Sequence, residues 1–334
     1  MAKPLFSVVV PTYNRRESLG QCLEALSVQT LSPSSFEVII VDDGSTDGTT
    51  EHWRARTFPF HTVFLVVPNG GASKARNTGV AAANGKYIAF TEDDVLPDEN
   101  WLQNALKHIE NGAVDVLEGR TTDLNREKEV RRFEGSHVPS FIPCNLFVRK
   151  GVFDQVGGYD PAFYDRSAHL YFREDADLGF RMLDAGFRVA FAHDVTVAHP
   201  PQFTTVRECF RHARRYVFDP LLYKKHPARF RALIEVKKVL GLTIRRPQHY
   251  VALAYVGFLL ALCLAIVWGD QQCVAPLAVL AFGCSFLFRF KYQGWRALRL
   301  HEVHWMLGFL LLPLIYLASV LKGCIRYRTW GSLI

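Results

Sequence analysis

The sequence lacks the features of a secreted or disulfide-stabilised protein. Its seven cysteines are odd in number and scattered, and no CxxC or other metal-binding spacing occurs among them. We therefore expect reduced, structural thiols. The first residues, MAKPLFSVVVPTYN, contain no apolar core of the length that a signal peptide needs. We expect the first domain to stay in the cytoplasm.

Carboxylates become scarce after residue 200. Residues 1–200 contain 27 Asp and Glu against 20 Lys and Arg, whereas residues 201–249 contain 3 against 12 and residues 250–334 contain 2 against 7. An acidic body followed by a basic stretch is not typical of a nucleic-acid-binding protein, so we expect no nucleic-acid partner. A basic stretch placed directly before apolar segments is typical of a surface that faces membrane lipids.

The long apolar runs lie in the last quarter of the sequence. Residues 250–269 form an uncharged run of about 20 residues, long enough to cross a bilayer, and 273–288 and 305–321 are shorter runs of 16 and 17 residues. The first two predict a helical hairpin with both ends in the cytoplasm, because arginines and lysines flank it. The third either spans the membrane or lies as a re-entrant or interfacial helix broken near Pro313. The alternative for all three is buried helices of a soluble protein.

In the first 120 residues, hydrophobic patterns typical of strands alternate with patterns typical of helices. Apolar, β-branched runs of strand length alternate with helix-like segments, the strands at 6–10, 36–41, 62–67 and 87–90 and the helices at about 16–29, 47–56, 72–83 and 98–109. This alternation predicts an α/β domain with a mostly parallel, Rossmann-like sheet covered by helices on both faces. Ligands of such sheets bind beyond the carboxyl ends of the strands.

Residues 141–200 predict a second, mixed part of this domain. FIPCNLFVRK (141–150) is strand-like, EDADLGFRMLDAG (174–186) predicts a helix that ends at a glycine, and VAFAHDVTVAHP (189–200) predicts one or two strands. We therefore divide the chain at 1–205, 206–248 and 249–334, as an α/β domain, basic interfacial helices and membrane-associated helices.

Three consecutive carboxylates, Glu92, Asp93 and Asp94, follow the predicted strand at 87–90. Like charges placed side by side repel each other, so the cluster indicates that a positive charge binds there. Mg²⁺ and Mn²⁺ prefer oxygen ligands and commonly bridge a protein to a diphosphate. For EDD alone, a solvated acidic turn is the competing interpretation. VVVPTYN, IIVDDGSTDGT and GGASKARNTG come before it at earlier strand ends.

Taken together, these four motifs resemble the nucleotide-sugar domain of family 2 glycosyltransferases, over roughly residues 4–200. The resemblance implies the GT-A fold, with a donor half at 1–120 and an acceptor half at 121–205. It implies that Tyr13 stacks on the nucleotide base, that Asp42 and Asp43 bind base and ribose, and that Arg76 approaches the base or a phosphate. The donor-binding residues it implies are Pro11, Tyr13, Asn14, Asp42, Asp43, Arg76 and Asp93.

The resemblance also implies a metal site and a catalytic base. The D-x-D motif of the family falls on Glu92–Asp94, with glutamate in place of the first aspartate and Asp94 as the direct ligand. His199 matches a histidine that supplies a third ligand in several metal-dependent members. Asp175 matches the general base, and the adjacent Glu174 is a neighbour able to raise its pKa. The competing interpretation of the acidic residues at 174–177 is that they stabilise a helix N-terminus.

Two further segments correspond to the acceptor side of the family. CNLFVRKGVFDQVGGYD (144–160) matches the region that shapes the acceptor site, where we single out Asn145. HARRY (212–216) loosely resembles the Q-x-x-R-W motif of membrane-bound synthases, which implies that Arg211, Arg214, Arg215 and Tyr216 contact diphosphate or acceptor. A cationic helix with aromatic residues also fits a simple grip on anionic lipid.

The sequence therefore predicts a membrane-anchored, inverting glycosyltransferase dependent on Mg²⁺ or Mn²⁺. Its catalytic domain would face the cytoplasm, from the inner membrane if the source is bacterial. Its expected partners are a nucleotide-diphosphate sugar, a lipid-linked or glycan acceptor and membrane lipids. The rival hypotheses are a processive polysaccharide synthase, for which the apolar segments are few, and a non-catalytic membrane scaffold, which would be expected to have lost Asp94 or Asp175.

Overall fold

The computed structural model describes residues 3–112, 114–124, 129–131, 140–200, 205–234, 236–239, 242–293 and 303–333. The chain forms two compact units, Met1–Pro201 and Gln202–Ile334. The strands are β1 (Phe6–Thr12), β2 (Phe36–Asp42), β3 (His61–Val66), β4 (Tyr87–Phe90), β5 (Leu96–Pro97), β6 (Val116–Thr122), β7 (Glu129–Arg131), β8 (Leu146–Arg149), β9 (Tyr164–Asp165), β10 (Leu170–Tyr171), β11 (Val189–Ala198), β12 (Val236–Val239) and β13 (Leu242–Arg245).

The helices follow the same chain order. They are α1 (Arg16–Ser27), α2 (Thr49–Arg54), α3 (Ala72–Ala82), α4 (Trp101–Asn111), α5 (Lys150–Gln155), α6 (Glu174–Asp184), α7 (Val206–Arg215), α8 (Asp219–Lys225), α9 (Pro227–Leu233), α10 (Pro247–Trp268), α11 (Gln271–Gln293) and α12 (Val303–Tyr327).

A nine-stranded sheet forms the centre of the first unit. Within the described residues its order is β3-β2-β1-β4-β8-β6-β11-β5, and β7 pairs with β6. The pairs β1–β2, β2–β3, β1–β4 and β6–β11 are parallel, whereas β8 runs antiparallel to both of its neighbours. Six strands therefore point in one direction, which confirms the predicted mostly parallel sheet. The chain reverses its winding between β1 and β4, and such a switch point is where open α/β sheets bind ligands.

Both faces of the sheet are buried. Val8 and Val10 of β1 pack in one core with helices α1 and α4, and Val9 packs in the other core with α3 and α6. A strand covered on both faces favours apolar residues on both sides, which is why FSVVV is apolar at every position except Ser7, whose buried hydroxyl donates to Glu37. Full burial of one such side chain contributes about 1.5–3 kcal/mol.

The predicted elements of the first 120 residues are confirmed, with helices somewhat shorter than expected. One difference concerns the mixed part. The strand-like segment 141–150 forms a strand only from Leu146, after Phe141 takes a left-handed conformation with φ of 57°. The segment 189–200 forms one strand, β11, within the one or two expected there, and its register with β6 shifts between Ala192 and Thr196.

In the second unit, three helices are long and apolar enough to cross a membrane. They cover Pro247–Trp268, Gln271–Tyr292 and Gly308–Tyr327, and only 17%, 28% and 44% of their apolar windows are buried. Such exposure does not fit helices buried inside a soluble protein. Helix α12 continues through Pro313, so the break near Pro313 that belonged to one of the two alternatives for this segment is absent.

Candidate active site

The carboxylates that follow β4 lie beside the end of β11. Glu92, Asp94 and His199 each offer a ligand atom, and these atoms lie within 4.8 Å of one another. The segment after Asp94 crosses the sheet edge as β5, where Leu96 pairs with Ala198, the residue before His199. The two-residue strand β5 thus joins the acidic turn to a histidine that lies about a hundred residues further along the chain.

The donor set of this cluster suits a divalent cation. The Nδ1 atom of His199 lies 2.6 Å from the carbonyl oxygen of Pro200, and because a carbonyl only accepts, Nδ1 carries the proton. Nε2 then presents its lone pair, 3.6 Å from Asp94 Oδ1 and 3.7 Å from Glu92 Oε2. Asp94 Oδ1 is buried and accepts no hydrogen bond from any described residue. An imidazole lone pair facing carboxylate oxygens is a set of ligands that Mn²⁺ accepts.

Arg15 is a site residue that the sequence analysis missed. Its Nη1 donates to Asp93 Oδ1 at 2.9 Å and to Asp94 Oδ2 at 2.6 Å. Thr12 donates to the other oxygen of Asp93 at 2.8 Å. Burial raises the pKa of Asp93 to about 6, against the opposing effect of the Arg15 guanidinium. In the sequence, the only indication of this role is that Arg15 directly follows VVVPTYN, in the turn after β1.

Arg76 on α3 is a buried cation between the two acidic parts of the site. Only 2% of the residue is exposed. Its Nη2 donates to Glu92 Oε1 at 3.2 Å, and its Nη1 lies 3.9 Å from Glu174 Oε1 at the start of α6. Nε and Nη1 make no hydrogen bond to the described residues. The guanidinium therefore links α6 to the acidic turn and keeps two buried donors without a hydrogen bond to the described residues.

The two aspartates after β2 shape the loops around them. Asp42 accepts a hydrogen bond from Ser45 N at 2.7 Å and another from the Thr50 hydroxyl. Asp43 accepts from Gly70 N at 2.7 Å and from Gly71 N at 2.8 Å, and burial raises its pKa. Each carboxylate oxygen keeps a second lone pair, so both aspartates can still accept a hydrogen bond from a ligand.

The first motif contributes a flat aromatic ring and a loop anchor. Tyr13 follows β1 and is 44% exposed, an unusual exposure for a large aromatic side chain. Asn14 holds the neighbouring loop, because its N–H donates to Ser45 Oγ and its Oδ1 accepts from Thr46 N. Pro11 is buried within β1. The described geometry leaves Tyr13 as the residue of this motif with a face open to a ligand.

Asp175 lies in the first turn of α6 and is partly buried. Its Oδ1 accepts from Ala176 N at 2.7 Å. Burial raises the pKa of Asp175, and the nearby guanidinium groups of Arg173 and Arg76 oppose that rise. The sequence analysis attributed a raised pKa to Glu174, whereas burial has the largest effect. Asp177 is engaged separately, by Arg181 at 2.7 Å on the same helix.

Glu118 is a second residue that the sequence analysis missed. It lies on β6, is buried, and accepts a hydrogen bond from Phe141 N at 3.1 Å. Burial raises its pKa to about 7, and the negative charge of Asp175 adds to this rise. Phe141 in turn packs against Gly179 of α6, where an added Cβ would lie 2.1 Å from the ring. Nothing in VLEGRTT, read alone, distinguishes this glutamate from an ordinary strand residue.

Asn145 is fully enclosed by protein. Its Oδ1 accepts from Trp101 Nε1 at 2.8 Å, and its Nδ2 donates to the carbonyl oxygens of Arg120 and Val195 at 3.0 and 2.9 Å. These bonds use both of its N–H donors. They link α4, β6, β8 and β11 rather than leaving the amide open, so the predicted role of Asn145 toward an acceptor stays a prediction.

The remaining predicted residues belong to the second unit. Arg211 and Arg214 are exposed on α7, and Arg215 is partly buried at its end. Tyr216 is buried, accepts a hydrogen bond from Lys291 Nζ at 2.7 Å and packs against Tyr316. The predicted role of these four residues toward diphosphate or acceptor stays a prediction.

Comparison with known proteins gives a consistent family. The model of the glycosyl transferase family 2 matches residues 7–177. Glycosyltransferase AglE of Haloferax volcanii is 32% identical over 211 residues, which cover 59% of this chain and 67% of AglE. The uncharacterized glycosyltransferase YibD of Escherichia coli is 42% identical over 95 residues, so the chain spans only 27% of that protein.

A solved structure supports the same fold. Mannosyltransferase PcManGT of Pyrobaculum calidifontis, solved with GDP-Man and Mn²⁺, superimposes with a TM-score of 0.57 at 18% identity, over 98% of this chain and 88% of that one. Identity this low shows the fold alone, which is the GT-A-like sheet that the sequence predicted. Together with a family match over half of the sequence, it leads to one conclusion: the chain is a member of glycosyl transferase family 2.

Proposed function

We propose that this protein is a membrane-anchored, inverting glycosyltransferase that transfers a sugar from a nucleotide diphosphate to a lipid-linked or membrane-proximal acceptor. The observation that carries the proposal is the cluster of Glu92, Asp94 and His199, joined through buried Arg76 to the helix of Asp175. A cation site and a carboxylate of raised pKa at one sheet edge are what sugar transfer from a diphosphate requires. AglE and PcManGT, with its GDP-Man and Mn²⁺, agree with this class of reaction.

The first unit would hold the donor through groups at three strand ends. Tyr13 would stack on the base, and Asp42 and Asp43 would accept hydrogen bonds from base and ribose. Arg76 would lie close to the base or a phosphate. Arg15 would hold Asp93 and Asp94 in place, since it already bonds to both. Buried donors of this kind orient a charged ligand without reorganisation during the reaction.

Glu92, Asp94 and His199 would hold Mg²⁺ or Mn²⁺. When bound there, the ion supplies Lewis-acid neutralisation of the departing diphosphate. Asp175 would accept the proton of the acceptor hydroxyl while the acceptor oxygen bonds to the anomeric carbon. The bond from that carbon to the diphosphate breaks, and its electron pair leaves with the nucleoside diphosphate. A raised pKa makes Asp175 a stronger base than an ordinary aspartate.

A donor screen on membranes tests the proposal. We expect nucleotide release from one class of nucleotide sugar in the presence of an acceptor lipid extract and Mn²⁺ or Mg²⁺. Excess EDTA should abolish that release, and added Mn²⁺ should restore it. Release that is unaffected by EDTA would contradict the metal assignment, and no release from any donor would contradict the reaction class.

We further propose that the α10–α11 hairpin anchors the protein in the membrane, with the catalytic unit on the cytoplasmic side. The full chain should then resist extraction by high salt and by alkaline carbonate, since hydrophobic burial is not screened by ions. Leu260→Asp should lower the carbonate-resistant fraction, because an aspartate near the centre of a span costs about 2.5–3.5 kcal/mol.

The matched control is Val28→Asp in the first unit. Val28 and Leu260 have nearly equal exposure, 63% and 62%. The Val28 variant should therefore stay carbonate-resistant. If carbonate strips the unaltered chain from membranes, the anchor assignment is wrong.

A further inference from the structure

Helix α12 packs lengthwise against the basic helices α7 and α8. Gly308 lies against Val206, Gly323 against Val217 and Pro220, and the Tyr316 ring meets the Tyr216 ring at 4.7 Å. At the far end, Lys224 Nζ donates to the carbonyl oxygen of Tyr327 at 3.1 Å.

The residue numbers of the two partners rise together along this contact. From Gly308 to Tyr327 in α12, the facing residues advance from Val206 to Lys224. The two segments therefore run side by side in the same direction over about 29 Å, at 1.5 Å per residue. That distance is close to the hydrocarbon thickness of a bilayer.

The glycines of α12 make this contact close. A Cβ at Gly308 would lie 2.4 Å from Val206 Cγ1, and one at Gly323 would lie 2.2 Å from the carbonyl oxygen of Val217. Buried Arg246 connects the two partners. It forms an ion pair with Asp219 of α8 at 2.9 Å and donates a hydrogen bond to Tyr316 of α12 at 3.2 Å. Helix α12 and the basic helices thus form one packed body.

The basic helices cannot follow α12 through a bilayer. Arg207, Arg211 and Arg214 of α7 and Lys224 and Lys225 of α8 are exposed. If α12 spanned the membrane, Arg211 and Arg214 would lie alongside its middle, close to the bilayer midplane. Exposed cations at that depth are rare, and they face a protein interior or a water-filled cavity when they occur.

The exposed face of α12 is apolar from Leu311 to Leu321, and Lys322 and Arg326 are exposed near its end. Leu311, Leu314, Leu321 and Ile325 are exposed, at spacings of three, seven and four residues that place them along one side of the helix. The opposite side, with Leu312, Tyr316 and Val320, is buried. Trp330 is exposed just after the helix, and tryptophan is enriched where membranes meet water.

We propose that α12 does not cross the membrane but lies with α7 and α8 at its surface. Its apolar stripe contacts acyl chains, and the cations of α7 and α8 face anionic headgroups. The chain then crosses the bilayer only through the α10–α11 hairpin. The segment after α12 then lies on the same side of the membrane as α8. The lysine and arginines at 322–328 are on that side, in agreement with the positive-inside rule.

Cysteine labelling of the full chain tests this topology without reference to catalysis. Sealed vesicles of both orientations are treated with a membrane-impermeant maleimide. Native Cys273 is exposed at the turn of the hairpin and serves as the marker for the far side. In a Cys273→Ser background, Lys225→Cys marks the side of α8 and Trp330→Cys reports the end of α12.

We expect Trp330→Cys and Lys225→Cys to label in the same vesicle orientation, at least about tenfold more than in the other, and Cys273 to label in the opposite one. Labelling of Trp330→Cys in the orientation that labels Cys273 would overturn the proposal, and so would Cys273 labelling together with Lys225→Cys. If Trp330→Cys labels in neither orientation, a protease site appended after Ile334 decides, because cleavage from the Cys273 side overturns the proposal and cleavage from the Lys225 side supports it.

Discussion

Replacing Asp175 by asparagine is expected to lower the turnover rate by a factor on the order of 10²–10⁴, with little change in donor affinity. The asparagine keeps the size of the side chain and can still accept the hydrogen bond from Ala176 N. It cannot accept the proton of the acceptor hydroxyl, so the loss falls on the chemical step. Initial rates at saturating donor and acceptor, together with donor titration by calorimetry, measure the two effects separately.

Asp184→Asn is the control for this experiment. It makes the same chemical change on the same helix, at an exposed position nine residues after Asp175. Its turnover rate should stay within about twofold of the unaltered protein. If the Asp175 variant loses donor binding but keeps its turnover rate, Asp175 has a structural role in the site rather than a catalytic one.

Replacing Asp94 by alanine is expected to abolish measurable turnover and to weaken donor binding in Mn²⁺. The substitution removes the carboxylate whose buried Oδ1 faces His199 and also removes a partner of Arg15. Loss of an outer partner of a metal site already costs roughly 10–100-fold in affinity or activity, and loss of a ligand should cost more. Titration of Mn²⁺ in the presence of nucleoside diphosphate measures the binding directly.

Two variants calibrate the Asp94 result. Glu92→Gln should have a milder effect, because its amide oxygen can still face His199 in place of Oε2, although the NH₂ group then replaces the oxygen that accepts from Arg76. Glu99→Ala removes an exposed carboxylate shortly after the acidic turn and should leave Mn²⁺ binding unchanged. If Asp94→Ala retains near-normal activity, the assignment of the D-x-D motif to Glu92–Asp94 is wrong.

The sequence by itself determined the sheet, the strand ends and the apolar helices. These follow from local patterns: a strand buried on both faces, such as β1, is mostly apolar without alternation, and a membrane span is uncharged over most of its length. Because parallel strands end at one edge, the positions of Tyr13, Asp42 and Asp94 near a common crevice followed from the same patterns. The motif set also sufficed to indicate the family.

Only the tertiary structure decided which side chains meet. The family resemblance already pointed to His199 as a neighbour of Asp94, but the two-residue strand β5, which pairs with the end of β11 and brings the two residues together, leaves no sequence pattern. Arg15 and Glu118 are site residues through long-range contacts, and Asn145 is enclosed by α4 and β11 for the same reason. Helix α12 has the composition of a span, yet its packing against charged helices places it at the surface. The composition of a helix shows whether it can be buried in a membrane, whereas the helices packed against it determine where it lies.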